Sequence, residues 1–223
     1  MAQLIAGAAS NVLAEVDAVS RGLHVSQMPP GGGMLGSYSL GTKSGIMAAG
    51  LGAAAPIFSL RFAPTLSTTS LLLLKKLYLT ASTLGTAFTA GSALFEAFAI
   101  RGYTVADTGG GSLTLGTAVT TGKLRTSMPV SGLVDFRISA TATLTAGTQT
   151  VDTNPFASVI TQIPATTTNY AILPADHVLW EAKPGEHPIV LATGEGVVLR
   201  ATVPATGTWS FSVKAVWDEV ASY

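Results

Sequence analysis

The sequence has no cysteine. That excludes disulfides, thiolate zinc sites, iron–sulfur clusters and cysteine nucleophiles. Charge is scarce too: 11% of the 223 residues are charged, against about 25% in an ordinary soluble domain. The twelve basic and twelve acidic side chains cancel. A nucleic-acid partner is therefore not expected, because phosphate binding needs clustered Lys and Arg. A monomer of this mass exposes roughly 9,500 Å². These charges would then lie about one per 400 Å², a thin coat for a lone protein. Either a membrane or neighbouring subunits must cover much of the surface.

Long hydrophobic runs are missing as well. The longest uncharged apolar stretch, SGIMAAGLGAAAPIFSL between Lys43 and Arg61, is interrupted by three Gly and by Pro56. Ala dominates it where a spanning helix would favour Leu and Ile. The run Leu71–Leu74 stops at Lys75 and Lys76. Aromatic residues make up only 7%, too few for the girdles of an outer-membrane barrel. No basic region precedes the first apolar residues, and Glu15 and Asp17 follow them, so no secretory signal is expected. No membrane partner is expected. Coverage by other subunits is the reading that remains.

What is present is glycine, threonine, alanine and a β pattern. Residues 1–33 read as an N-terminal arm ending in a Gly/Pro linker, and residues 34–223 as a β-sandwich body. Within the arm, Val12, Val16 and Val19 have loose helical spacing behind an N-cap at Ser10 or Asn11. The same residues also suit an extended arm that orders against neighbours. MPPGGGMLG (28–36) is the linker.

The plainest strand is TWSFSVKAVWD (208–218). Trp209, Phe211, Val213, Ala215 and Trp217 fall on one face and Ser210, Ser212, Lys214 and Asp218 on the other, with Val216 the exception. GVVLRATVP (196–204) reads as its hairpin partner across ATGT. Further strands are expected at 72–80, 93–105, 123–128, 133–143, 159–163, 177–182 and 188–192. TAFTAG (86–91), AVTTGK (118–123), TLTAGT (143–148) and VPATGT (203–208) read as hairpin turns of one chemistry. The fold class is all-β: an antiparallel β-sandwich or jelly roll with an N-terminal arm.

A search for chemistry finds little. His177 and His187 lie near Asp176, Glu181 and Glu186, and His24 stands apart. Their spacing matches no metal-binding or acid–base motif, and a loop of satisfied polar groups is the simpler reading. GTKSG (41–45) has its Ser one place too late for a nucleophile elbow. Gly31–Gly33 and Gly109–Gly111 lack the GK[ST] that a phosphate loop needs. No catalytic, cofactor or metal residue is singled out, and no enzyme is expected.

Three segments carry a resemblance: SGIMAAGLGAAAPIFSLRF (44–62), AFTAGSALFEAF (87–98) and GEHPIVLATGEGVVLRATVPATGTWSFSVKAVWDEVASY (185–223). In these the chain resembles tailed-bacteriophage virion structural proteins. The last segment resembles the closing strands of jelly-roll proteins on phage particles. The resemblance implies a non-enzymatic capsid decoration (cement) protein in the virion, assembled in the host cytoplasm. Its partners would be the major capsid protein or other virion proteins; the sparse charge separately leads to the expectation of a homo-oligomer, a trimer under closed cyclic symmetry. The N-terminal arm and the 44–60 segment would anchor it. The alternative is a tail, collar or fibre protein that binds a host receptor. Tyr103 with Asp107, or Asn169 with Tyr170, would then offer aromatic and polar contacts to a sugar.

Overall fold

The computed structural model describes three short N-terminal strands, β1 (Ile5–Ala6), β2 (Leu13–Val16) and β3 (Leu23–His24), and then residues 34–51, 54–64, 69–113, 122–165, 169–183 and 185–221. β1, β2 and β3 pair antiparallel with one another. Residues 13–16 are thus extended, and the helical spacing expected around Val16 is not realised there.

Fourteen further strands build the body: β4 (Met34–Lys43), β5 (Met47–Ala48), β6 (Ala55–Phe62), β7 (Leu71–Thr83), β8 (Gly91–Tyr103), β9 (Gly111–Ser112), β10 (Leu133–Ile138), β11 (Gln149–Val151), β12 (Ala157–Ile163), β13 (Ala171–Leu173), β14 (Val178–Glu181), β15 (Ile189–Leu191), β16 (Glu195–Thr202) and β17 (Thr208–Val220). They form two sheets in which every pairing is antiparallel. The first runs β9–β10–β6–β16–β8, with β11 and β12 end to end along the far side of β8. The second runs β4–β17–β7. In it, β5 continues β4 along β17, and β13, β14 and β15 follow one another along β7. The molecule is an all-β sandwich, and no helix occurs among the described residues.

The core lies between the sheets. Trp209, Phe211, Val213, Ala215 and Trp217 are all buried, while Ser212 and Lys214 between them are exposed. Period-2 alternation thus places one face of β17 against β6, β8 and β10. Trp217 stacks between Tyr38 (centroids 5.4 Å apart) and Phe136 (6.5 Å), and Phe136 meets Phe58 edge-on at 4.9 Å. Trp209 stacks on Phe211 at 5.2 Å. Such ring pairs add to plain area burial.

Where alternation breaks, so does the ladder. Val216 pairs with Lys76 but Trp217 with Leu74, so Lys75 bulges from β7. Its ammonium lies 2.5 Å from the Asp218 carboxylate. A bulge of one residue re-aims the side chains beyond it.

Several sequence expectations need correction. β16 and β17 form no hairpin: β16 pairs with β6 and β8, and β17 with β4, β5 and β7. The turn at 203–207 therefore crosses from one sheet to the other. The turn at 84–90 crosses too, between β7 and β8. The segment 143–148 joins β10 to β11, which share a sheet but do not pair. Packed sheets stand about 10 Å apart, so the two crossing links are arches, and small Thr, Ala and Gly residues suit arches as well as hairpins. Most of 118–123 lies outside the described residues.

Residues 123–128 form no strand; Lys123 makes one isolated bridge to Tyr38 before the chain turns. The strand expected at 133–143 stops at Ile138. Within 44–60, Ile57, Phe58 and Leu60 belong to the molecule's own core through β6. They do not form an external anchor.

Candidate functional site

The residues that suggested chemistry do not converge. The backbone carbonyl of His177 accepts from Leu79 N–H at 2.9 Å, and His187 Nδ1 lies 2.7 Å from the Pro188 carbonyl oxygen. Glu186 accepts from the Lys183 N–H at 3.1 Å, and Glu181 pairs with Lys76 at 2.5 Å. These are local turn and surface contacts. His24 is described in backbone only. Among the described residues, no group of three His, Asp or Glu side chains is placed to hold a metal ion.

The densest polar cluster instead sits on the outer face of the β8 sheet. Alternation sends Phe58, Leu60, Phe136 and Ile138 inward, so their neighbours Ser59, Arg61, Asp135 and Arg137 face outward. Register sets Arg61 beside Asp135 and Ser59 beside Arg137. On adjoining strands the same face carries Phe98, Ile100 and Val198, which pack with Tyr103, Ala106 and Val151 into a second apolar cluster.

The links at 104–110 and 139–148 are tied to one another above this face. Thr108 and Thr145 exchange backbone hydrogen bonds of 2.9 and 3.0 Å. Asp107, fully buried, accepts from Gly147 N–H at 2.7 Å through Oδ1. The Asp107 side chain adjoins Tyr103, but neither Asp107 Oδ2 nor the Tyr103 hydroxyl closes a well-aligned hydrogen bond. Burial, and then Asp107, push the Tyr103 phenol well above its usual range. The Arg61 guanidinium stands 5.8 Å from the Tyr103 ring centre. Asp135 accepts from Ser112 Oγ at 3.2 Å and lies 3.5 Å from Arg137 Nε, while Arg137 Nη1 donates to the Gly109 carbonyl at 3.0 Å.

Chemically this arrangement is a clamp. Among the described residues, the buried hydroxyls of Ser59 and Ser139 have no hydrogen-bond partner to act as a base. The buried carboxylates hold backbone and guanidinium groups, which fixes the links over the sheet. Tyr103 and Asp107 do come together, as the sugar-binding alternative required, but they are 4% and 0% exposed and present nothing to a ligand. Asn169 is exposed in a left-handed conformation (φ 63°), and the backbone carbonyl of Tyr170 accepts from the Thr83 N–H.

A second clamp lies at the end of β17. Glu219 is 4% exposed and accepts from Ser131 Oγ (2.5 Å), the Gly132 N–H (3.0 Å) and Trp217 Nε1 (3.1 Å). Burial raises its pKa despite these bonds, which act the other way. It ties 129–132 to the sandwich, where Pro129 also accepts from the Tyr38 hydroxyl at 3.0 Å. The sequence reading named Asp107 only as a sugar contact and passed over Asp135 and Glu219. The signal for Glu219 is local: in WDEV (217–220), two adjacent acids interrupt an otherwise alternating strand.

The surface also leaves large apolar side chains in solvent: Ile46, Val105, Leu124 and Ile160 are each more than half exposed. Comparison with protein-family models, curated proteins and solved structures finds no match.

Proposed function

We propose that this chain is a non-enzymatic structural protein of a bacteriophage particle, a capsid decoration (cement) protein that bridges and stabilises capsid subunits. Strand order is the observation that carries this reading. Take β4 with β5, β11 with β12, and β13 through β15 as single strands, and set β9 and β10 aside as an insertion. The eight strands then run 1-8-3-6 in one sheet and 2-7-4-5 in the other. We read this as a jelly roll, an architecture that viral capsid and lectin domains share. Fold alone does not choose a function. The sparse charge and the apolar side chains at loop and edge positions support adhesion by surface burial.

A standard contact of about 1,600 Å² per interface is enough, and several contacts in a trimer multiply the effect through avidity. Of the anchors expected from sequence, the 44–60 segment reduces to residues 44–51, with Ile46 at 61% exposure. The deciding experiment is electron microscopy of phage particles carrying a C-terminal label on this chain. Density distributed over the head is the expected result. Label confined to the tail, collar or fibres would replace this reading with receptor binding.

A further inference from the structure

A sandwich has open sheet edges, and three of the four here are covered or interrupted. Residues 122–124 lie along β4: Ser39 N–H donates to Gly122 O at 2.8 Å and Leu124 N–H to Ser37 O at 3.1 Å. The far side of β7 carries three short strands, with Pro174 and Pro188 in the breaks between them. β9 is two residues long. These are the usual ways in which natural proteins blunt an edge.

β12 is different. Its seven residues, ASVITQI, contain no Pro, Gly or charge, and among the described residues it pairs with β8 alone. It has no bulge in its register with β8. Alternate backbone N–H and C=O groups therefore point away from the sheet. Ser158, Ile160 and Gln162 are exposed, and Ile160, at 64%, is the most exposed large apolar side chain described.

We propose that β12 pairs antiparallel with β12 of a second copy of this chain, about a two-fold axis through Ile160. The strand's own pattern selects this occupant. Reversal about Ile160 sets Ser158 opposite Gln162 and Val159 opposite Thr161. A hydroxyl then meets an amide on the outer face, and two β-branched side chains meet on the inner one. No like charges oppose each other, because the strand has none.

On the outer face, Ile160 meets its symmetry mate, and Leu94, the register partner of Ile160 on β8, extends the row on each side. The result is a four-residue apolar row across one continuous sheet. Arg200 and Glu96, of opposite charge, are register partners on β16 and β8 within each copy. Closed two-fold contacts are the commonest in homo-oligomers. This contact does not depend on the particle reading, since it belongs to the purified protein. In a trimeric virion protein it would join neighbouring trimers.

The absence of native cysteine makes the test clean. Under oxidation, full-length Ile160→Cys should form a disulfide-linked dimer, because directly opposed residues on antiparallel strands have Cα atoms about 4.5–5.5 Å apart. Ser158→Cys should not link, because its symmetry mate lies four residues along the strand, roughly 14 Å away. Ile160→Lys should weaken the dimer at least about tenfold in sedimentation equilibrium by opposing two ammonium groups, with an unchanged circular dichroism spectrum. Linkage of both cysteine variants, linkage of neither, or a wild-type monomer at about 100 μM would overturn the proposal.

Discussion

Truncating Phe211 to Ala tests the core directly. Phe211 is 3% exposed, stacks on Trp209 at 5.2 Å, and lies on the face of β17 turned toward the opposite sheet. Removing a buried phenyl ring costs about 3–5 kcal/mol, combining lost transfer energy with the cavity left behind. In a domain of this size each kcal/mol moves the melting temperature by about 2–4 °C. The expected fall is therefore roughly 6–20 °C. The matched control is Ser212→Ala, one residue along and exposed, which should stay within about 0.5 kcal/mol of wild type. Urea unfolding followed by tryptophan fluorescence reads both, since Trp209 and Trp217 are buried in the same core. If the two variants unfold within about 1 kcal/mol of each other, the assignment of faces on β17 is wrong.

Three other outcomes follow from the same packing. Glu219→Gln should alter the pH dependence of stability. The pKa of Glu219 is raised in the folded state, so protonation favours folding. Its contribution is full below the ordinary carboxyl pKa and declines as pH rises through the raised value. Urea midpoints between about pH 4 and 7 should show that decline in wild type and a flatter profile in the variant; parallel profiles would refute it. Gly110→Ala should destabilise by more than about 1 kcal/mol, because Gly110 has φ +61° and a methyl there would strike the Ile138 carbonyl. A calorimetric melting temperature equal to wild type would count against the described path of that link. Deleting residues 1–33 should leave a folded body that no longer attaches to particles. Both large sheets close without β1, β2 or β3, and loss of the cooperative melt would show instead that the arm belongs to the core.

Much of the strand content was legible because burial on one face writes a period of two into the residues. The alternation from Trp209 to Trp217 read correctly, including the exception at Val216, which sits beside the bulge at Lys75. β6 was missed for the opposite reason. Ala55–Phe62 follows a Gly/Ala-rich stretch, and its burial is nearly continuous, because Ser59 and Phe58 are covered from opposite sides of the sheet. A strand covered on both faces loses its period and reads as an apolar run. Partition between sheets was not legible at all. An arch and a hairpin use the same turn residues, and only long-range pairing, such as β16 with β6 and β8, distinguishes them.

The clamps show the same division between local and long-range information. Asp107, Asp135 and Glu219 look like ordinary surface acids in sequence, yet all three are at most 5% exposed. Burying a carboxylate is costly unless donors surround it. Beside near neighbours such as Trp217 for Glu219 and Arg137 for Asp135, each acid has a donor 23 to 88 positions away: Ser112 for Asp135, Gly147 for Asp107, and Ser131 for Glu219. Asp107 and Glu219 therefore join a strand or its flank to a distant link, and Asp135 joins β10 to β9. With so few charges in the chain, committing these acids to internal clamps thins the surface coat further. A face with few charges has little electrostatic resistance to association. The uncharged β12 edge lies on the same sheet as the Asp107 and Asp135 clamp, so the edge pairing proposed above would join two bodies whose links are already fixed.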